Sequence, residues 1–345
     1  MFDADHFGKE NRSSALILGV TTQKRTAGNT ISFAFASFDL SGYLPSVKIQ
    51  KPGLSVLALL CVSLASIRVE AQPATASATK HSLWKIQGKD NVVYLLGSIH
   101  VLKKENYPLP EPIETAFSKS QIVAFETDID GLEKPEFAMK MLAKGQLAAG
   151  ETLSTQLSPA IYASFSNYVS KTGVPVEMLD SLTPATAAFG LVALELKKLG
   201  LDPELGLDKH FFAKATQESK IIVPLETVEF QMNLVTDFSK EEGELLMKAT
   251  LKDISTLEKD LGDMLKAWQT GDADKLNKFL NEAMKDAPVI YKRMVTDRTR
   301  NWMPKIEELT KRKDNAIVIV GAGHLVGPDG LVELLKKKGF KVVQE

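Results

Sequence analysis

Short apolar runs bounded by turn-forming residues predict the β-strands of this chain. Leu83–Gln87 and Val92–Leu96 flank the sequence Gly-Lys-Asp-Asn, which predicts a β-hairpin. Ala316–Val320 is a continuous apolar run of the kind that a strand buried on both faces requires. The remaining predicted strands are Ile122–Phe125, Ile221–Val223 and Lys341–Val343.

Elsewhere apolar residues recur every three or four positions, which is the period of an amphipathic helix. Ser158 and Thr183 are each followed by Pro, a pair of residues that favours a helix start. The predicted helices are Glu111–Ser120, Glu136–Lys144, Pro159–Lys171, Pro184–Leu199, Leu207–Ser219, Asp253–Gln269, Ala273–Met284, Val289–Leu309 and Leu331–Lys338.

Predicted strands therefore lie near both ends of residues 83–345, and Val228–Arg312 between them is predicted to be helical almost throughout. This order predicts an α/β domain over residues 83–345, with a mixed, mostly parallel sheet flanked by helices. The C-terminal strands complete the sheet after a large helical insert, which we expect to form one wall of a substrate cleft.

Two phrases of the chain match each other. Asn91–His100 reads NVVYLLGSIH and Asn315–His324 reads NAIVIVGAGH, so each apolar run is followed by Gly-x-x-His. Gly fills 22 of 345 positions, so chance places a Gly three residues before a given His only about 6% of the time. Ligands of open, mostly parallel sheets bind outside the carboxyl ends of the strands, where a Gly permits a tight turn. Two imidazoles there suggest a metal site or an acid–base site.

A second pair of phrases adds carboxylates to the same pattern. Gln121–Thr127 and Lys220–Thr227 are apolar runs that end in Glu-Thr. A carboxylate directly after a buried strand is costly unless it is paired or binds a cation. We therefore expect four strands to end in His100, Glu126, Glu226 and His324.

Composition narrows the functional classes without identifying one. The formal net charge is −1, and charged residues make up 25% of the chain, so nothing resembles the electrostatic footprint of a nucleic-acid-binding protein. The hydrophobic content of 44% suits a globular protein with a sizeable core. Cys61 is the only cysteine, which excludes a disulfide framework and a zinc site built on cysteines.

The N-terminal region has the order of a secretory signal peptide, which we place at residues 47–71. Lys48 and Lys51 precede the apolar stretch Leu54–Ile67, and small residues follow near Ala71. We expect a periplasmic or secreted protein, with membrane anchoring only if this segment stays uncleaved. Residues 72–82 read as a linker. Residues 1–46 are either an over-extended gene model, with translation starting near Val47, or a disordered extension.

The phrases YLLGSIHV, VAFETD, GLDKHF, LETVEFQ, DRTRNW and GAGHLVGPDGL resemble the TraB/GumN family. That family includes the Tiki proteases, which cleave Wnt proteins, and it is more distantly similar to erythromycin esterases and the haem-binding ChaN fold. The resemblance implies a secreted or membrane-associated, metal-dependent hydrolase-like fold without a defined substrate. It places the family motifs on Gly97 with His100, on Glu126 and on Gly321 with His324. Asp128 also matches.

The resulting hypothesis is a metal-dependent hydrolase that acts on peptide or protein substrates. His100, His324 and Glu126 would hold a divalent ion (Mn, Co or Zn) that activates water. Glu226 or Asp128 would serve as the general base.

Other residue roles remain open. Arg298 either binds a carboxylate near the site or braces its helix, and Glu226 pairs with Arg298 or Arg300. For Asp208 a helix-capping role is sufficient. The alternative function is a non-catalytic protein that binds a peptide or haem on the same fold, with one His as the haem's axial ligand.

Overall fold

The computed structural model describes residues 80–281, 284 and 286–345. The predictions for residues 1–46, for the signal peptide at 47–71 and for the linker up to residue 79 lie outside the described residues. Within the described ranges, no helix is both long and apolar enough to cross a membrane.

The described residues form a six-stranded mixed sheet, which confirms the predicted fold class. The strand order is β4-β3-β5-β2-β1-β6, and β2, β5, β3 and β4 pair in parallel. β1 pairs antiparallel with both β2 and β6, so the predicted hairpin is present and the C-terminus adds an edge strand. The strands are β1 Leu83–Gln87, β2 Val92–Ser98, β3 Ile122–Phe125, β4 Ile221–Pro224, β5 Ala316–Gly321 and β6 Val342–Gln344.

Helices connect the parallel strands and cover both faces of the sheet, as parallel pairing requires. They are α1 Glu111–Ser118, α2 Ile129–Leu132, α3 Pro135–Lys144, α4 Leu153–Gln156, α5 Pro159–Ser170, α6 Glu177–Asp180, α7 Pro184–Lys198, α8 Leu207–Gln217, α9 Val228–Thr236, α10 Lys240–Asp253, α11 Leu257–Gln269, α12 Ala273–Leu280, α13 Pro288–Tyr291, α14 Asp297–Leu309 and α15 Leu331–Lys337.

The predicted helix Asp253–Gln269 starts too early, because a break separates α10 from α11. Ser255 and Thr256 donate their hydroxyls to the carbonyls of Lys252 and Asp253, which competes with continuation of the helix. α12 also ends at Leu280, before the predicted Met284. There the buried Asn281 turns its side chain to the carbonyls of Gly323 and Val326.

The predicted helix Val289–Leu309 is present but contains an irregular turn. α13 runs into a π-helical turn at Lys292–Thr296 and then into α14. Single π-turns are uncommon and are frequent at functional sites. This one directly precedes Arg298 and Thr299, which are both buried.

The hydrophobic core is divided into two clusters. The larger one surrounds the sheet, where the central strand β5 is fully buried on both faces. The second cluster contains only helical and loop residues, among them Phe165, Leu191 and Met247. The helices away from the sheet therefore come from the β3–β4 connection as well as from the predicted insert before β5.

Candidate functional site

The four strand ends singled out in the sequence meet at one edge of the sheet. β2, β3, β4 and β5 are parallel, so their carboxyl ends point the same way. The position that a Cβ on Gly321 would occupy is 3.2 Å from Glu126 Oε1, 3.3 Å from His100 Nε2 and 3.6 Å from His324 Cδ2. The two Gly-x-x-His motifs thus converge as predicted, and Glu126 lies between them.

The glycines of the two motifs serve close packing rather than a left-handed turn. Gly321 has φ −48°, and Gly97 lies in regular strand β2. A Cβ on Gly97 would lie 3.2 Å from the Cβ of Ala322. The prediction that these glycines permit a tight turn is therefore wrong. Both positions need a small residue because space is short, and neither needs a positive φ.

His100 is held by a carboxylate that sequence reasoning assigned to helix capping. Its Nδ1 lies 2.7 Å from Asp208 Oδ2, and Ser98 Oγ donates to the same oxygen at 2.5 Å. Asp208 lies in the first turn of α8, whose N-cap residue is Gly206. A Cβ on Gly206 would lie 2.2 Å from the carbonyl oxygen of His100, so a glycine is what allows α8 to approach so closely.

The pair with Asp208 makes His100 a cation at neutral pH. The carboxylate of Asp208 raises the pKa of His100 to about 9, against the opposing effect of burial and with a smaller contribution from Glu126. The His100 side chain is nonetheless 61% exposed. Its Nε2 and Glu126 Oε1 lie 3.3 and 3.2 Å from one point, the position that a Cβ on Gly321 would occupy.

Glu126 bridges the exposed and the buried halves of the site. Its Oε1 accepts from the Gly321 N–H at 2.7 Å, and its Oε2 accepts from Arg298 Nη2 at 2.6 Å. Burial would raise the pKa of Glu126, but the charges of Arg298 and His100 and the Gly321 N–H together lower it well below the ordinary carboxyl range. Glu126 is therefore ionised.

Arg298 uses all five of its N–H groups inside the protein. Nη2 donates to Glu126 and to Glu226 Oε2, and Nε donates to both oxygens of Glu226. Nη1 donates to the Met294 carbonyl at 3.2 Å and contacts His324 Nε2 at 3.2 Å. The side chain is 8% exposed. Of the two partners considered for Glu226, the structure selects Arg298.

His324 is the buried, neutral imidazole of the site. Thr299 donates its hydroxyl to the Val295 carbonyl at 2.7 Å, so it must accept from His324 Nδ1 at 2.9 Å. This assigns the proton to Nδ1 and leaves Nε2 to accept from Arg298. Burial lowers the pKa of His324 to about 3, despite the opposing charge of Glu126.

These contacts do not form the predicted three-ligand ion site. His324 has both ring nitrogens engaged, by Arg298 and by Thr299. Among the residues that the structure describes, no three His, Cys, Asp or Glu side chains are arranged to hold a metal ion. His100 Nε2 and Glu126 Oε1 lie near the same point beside Gly321, and the divalent ion itself stays a prediction.

Gln231 contacts the two glutamates of the site, whereas Asp128 lies at the start of α2. Gln231 on α9 donates to both Glu126 Oε2 and Glu226 Oε2 at 3.3 Å, so it ties the two carboxylates together. Sequence reasoning missed it, although its position one turn after Glu226 was a usable signal. Asp128 lies at the N-cap position of α2, where its Oδ2 is 3.0 Å from the position a Cβ on Gly131 would occupy.

Comparison with known proteins places this site in a family. The profile of the TraB/PrgY/gumN family matches residues 82–344. The chain belongs to this family. No solved structure matches it significantly.

Similar sequences come from organisms as different as Escherichia coli and Xenopus tropicalis. The uncharacterized protein YbaP of Escherichia coli is 25% identical over 248 residues, covering 70% of this chain and 87% of YbaP. An uncharacterized protein of Treponema pallidum is 20% identical over 280 residues, covering 78% and 84% of the two chains. Metalloprotease TIKI1 of Xenopus tropicalis is 21% identical over 347 residues, covering 83% and 66%. This last similarity hints at hydrolase chemistry.

Proposed function

We propose that this TraB-family protein is a hydrolase that cleaves peptide bonds, with His100 and Glu126 as the reacting pair. The observation that carries the proposal is the exposed imidazole of His100, which is held by Asp208 and lies with the buried Glu126 carboxylate beside Gly321. Its position at the carboxyl edge of parallel strands is where substrates of such sheets bind. The similarity to Metalloprotease TIKI1 supports peptides as the substrate class.

In this proposal the two side chains have opposite tasks. Glu126 Oε1 accepts a proton from water as the water oxygen bonds to the peptide carbonyl carbon. His100 donates its Nε2 proton to the departing nitrogen as the C–N bond breaks. Glu126 then releases its proton to solvent, and His100 Nε2 takes up a proton from solvent. Because the pKa of His100 is about 9, the acid is in its active form at neutral pH.

We assign the base to Glu126 rather than to the predicted Glu226 or Asp128. Both oxygens of Glu226 accept from Arg298, and its side chain is 5% exposed. Asp128 lies against its own helix turn. Glu126 has an oxygen near the same point beside Gly321 as His100 Nε2, although its lowered pKa makes it a weak base that needs a well-placed water.

We also propose that the protein acts in the periplasm or outside the cell, on peptide or protein substrates, on the basis of the segment at residues 47–71. The alternative is a protein of the same fold that binds a peptide or haem without turnover. Haem binding would give a visible Soret band in the purified protein, and peptide binding without turnover would give complexes but no new termini.

The test is a peptide-library digest by the full chain, read by mass spectrometry. We expect cleavage by the wild type and a 10²- to 10⁴-fold slower rate in His100→Asn and Glu126→Gln, since loss of a positioned acid or base has that effect. His210→Asn is the matched control, because this imidazole packs on Tyr107 and Phe211 outside the cluster. Equal rates in His100→Asn and the wild type would refute the assignment.

A further inference from the structure

We infer that Arg298 is the resident cation of this site and that the site works without a bound divalent ion. The first part rests on the contacts of Arg298 alone. The second part also rests on the proposed hydrolase function.

The guanidinium stands where an ion shared by the predicted ligands would have to stand. It donates to Glu126 Oε2 at 2.6 Å and contacts His324 Nε2 at 3.2 Å. These are the atoms that two of the three predicted ligands would offer. A divalent ion bound to both would lie directly beside a buried positive charge, which repels it.

The fold holds Arg298 in this position from its own helix. Its Nη1 donates to the Met294 carbonyl, and its guanidinium carbon lies 4.9 Å from the ring centroid of Trp302, one turn further on. Trp302 is fully buried. With Glu226 accepting from both Nε and Nη2, the guanidinium is fixed in one plane and has no spare N–H for a substrate.

Arg298 and His100 offset two of the three carboxylate charges in the cluster, which leaves a net charge of −1 without an added ion. Glu126 and Glu226 face the guanidinium, and Asp208 faces the imidazole of His100. One task of a catalytic metal is to place a positive charge beside the scissile carbonyl. In the proposed reaction the remaining N–H of His100 protonates the departing nitrogen instead, while Arg298 keeps Glu126 ionised and in place. Arg298 is thus a positioning residue, because it acts through Glu126.

The test measures binding of Mn²⁺, Co²⁺ and Zn²⁺ to the tag-free full chain by calorimetry and by metal analysis after dialysis. We expect the wild type to retain well under one ion per chain. We expect Arg298→Met, which frees His324 Nε2 and both carboxylates, to bind one ion at least 100-fold more tightly. Arg300→Met is the control, since Arg300 lies on the same helix but pairs with the surface residue Asp329 at 3.2 Å.

Two further variants locate any ion that binds. Adding Glu126→Gln to Arg298→Met should abolish the gained affinity, which shows that the ion occupies this cluster. If Arg298→Met does not fold, the wild type still decides. One ion per wild-type chain, lost in Glu126→Gln, would overturn the inference by showing that Arg298 moves aside.

Activity separates this inference from the proposed function. If the wild type cleaves peptides at an unchanged rate after treatment with a chelator, both hold. If cleavage stops and one added ion restores it, the hydrolase stands and the metal-free site is refuted. If no peptide is cleaved under any condition, the proposed function fails, whereas the binding data still decide the role of Arg298.

Discussion

Replacing Arg298 by Met should destabilise the protein more than any other single change at the site. The substitution keeps an unbranched apolar stem over Trp302 and removes the whole guanidinium. Glu226 is then left with Gln231 as its side-chain donor, while Glu126 keeps Gln231 and the Gly321 N–H. Both carboxylates are nearly fully buried.

The expected loss follows from the burial of these charges. Removing one partner of a buried ion pair typically costs about 3–5 kcal/mol, because the other charge stays buried without compensation. The free energy of unfolding of a domain is usually about 5–15 kcal/mol, so the variant should lose about a fifth of it or more. Arg300→Met removes an arginine that is 59% exposed, and surface pairs contribute about 0–1 kcal/mol.

Urea unfolding of the wild type and both variants measures these losses. At neutral pH we expect a deficit of about 3–5 kcal/mol for Arg298→Met and less than about 1 kcal/mol for Arg300→Met. The lowered pKa of Glu126 in the wild type means that the stability this pairing adds is present above the unfolded carboxyl pKa and is lost as pH falls. The deficit should therefore shrink below about pH 4.3. Equal midpoints for the two variants at neutral pH would refute the role of Arg298.

Three further predictions concern the surrounding residues. Asp208→Asn should move the pKa of His100 from about 9 toward its ordinary value in an NMR titration, and the stability contributed by the pair should be present below about pH 6.5 and lost as pH rises through about 9; an unmoved pKa would contradict the pairing. His324 is buried neutral with its pKa lowered to about 3, so wild-type stability should fall as pH drops below about 6.5, by up to about 1.4 kcal/mol per pH unit, a slope that His324→Gln should lack. Gly321→Ala places a Cβ 3.2 Å from Glu126 Oε1 and should slow peptide cleavage strongly while changing the urea midpoint little. Gly97→Ala crowds Ala322 and should mainly lower the urea midpoint.

The strands and their convergence were predictable because they depend on local patterns. β2, β3 and β5 are buried on nearly every position, and such strands appear in the sequence as continuous apolar runs. Once they are parallel, the residues after their ends must share an edge of the sheet. His100, Glu126, Glu226 and His324 could therefore be grouped without a structure.

The internal arrangement of the site was not predictable, because it depends on contacts between distant elements. Asp208 reaches His100 only because α8 packs against the end of β2 through Gly206. Arg298 points into the cluster because a π-turn and the packing of Trp302 set the rotation of α14. Neither contact leaves a periodic pattern in the sequence. Helix capping by Asp208 and helix bracing by Arg298 therefore explained the sequence equally well.

The most direct test of this account is the peptide-cleavage rate of chelator-treated wild type compared with His100→Asn, in the same library and at neutral pH. The account predicts that the treated wild type cleaves defined bonds and that His100→Asn is at least about 100-fold slower. Cleavage that is equally fast in His100→Asn, or no cleavage by the wild type with or without added Mn²⁺, Co²⁺ or Zn²⁺, would contradict it.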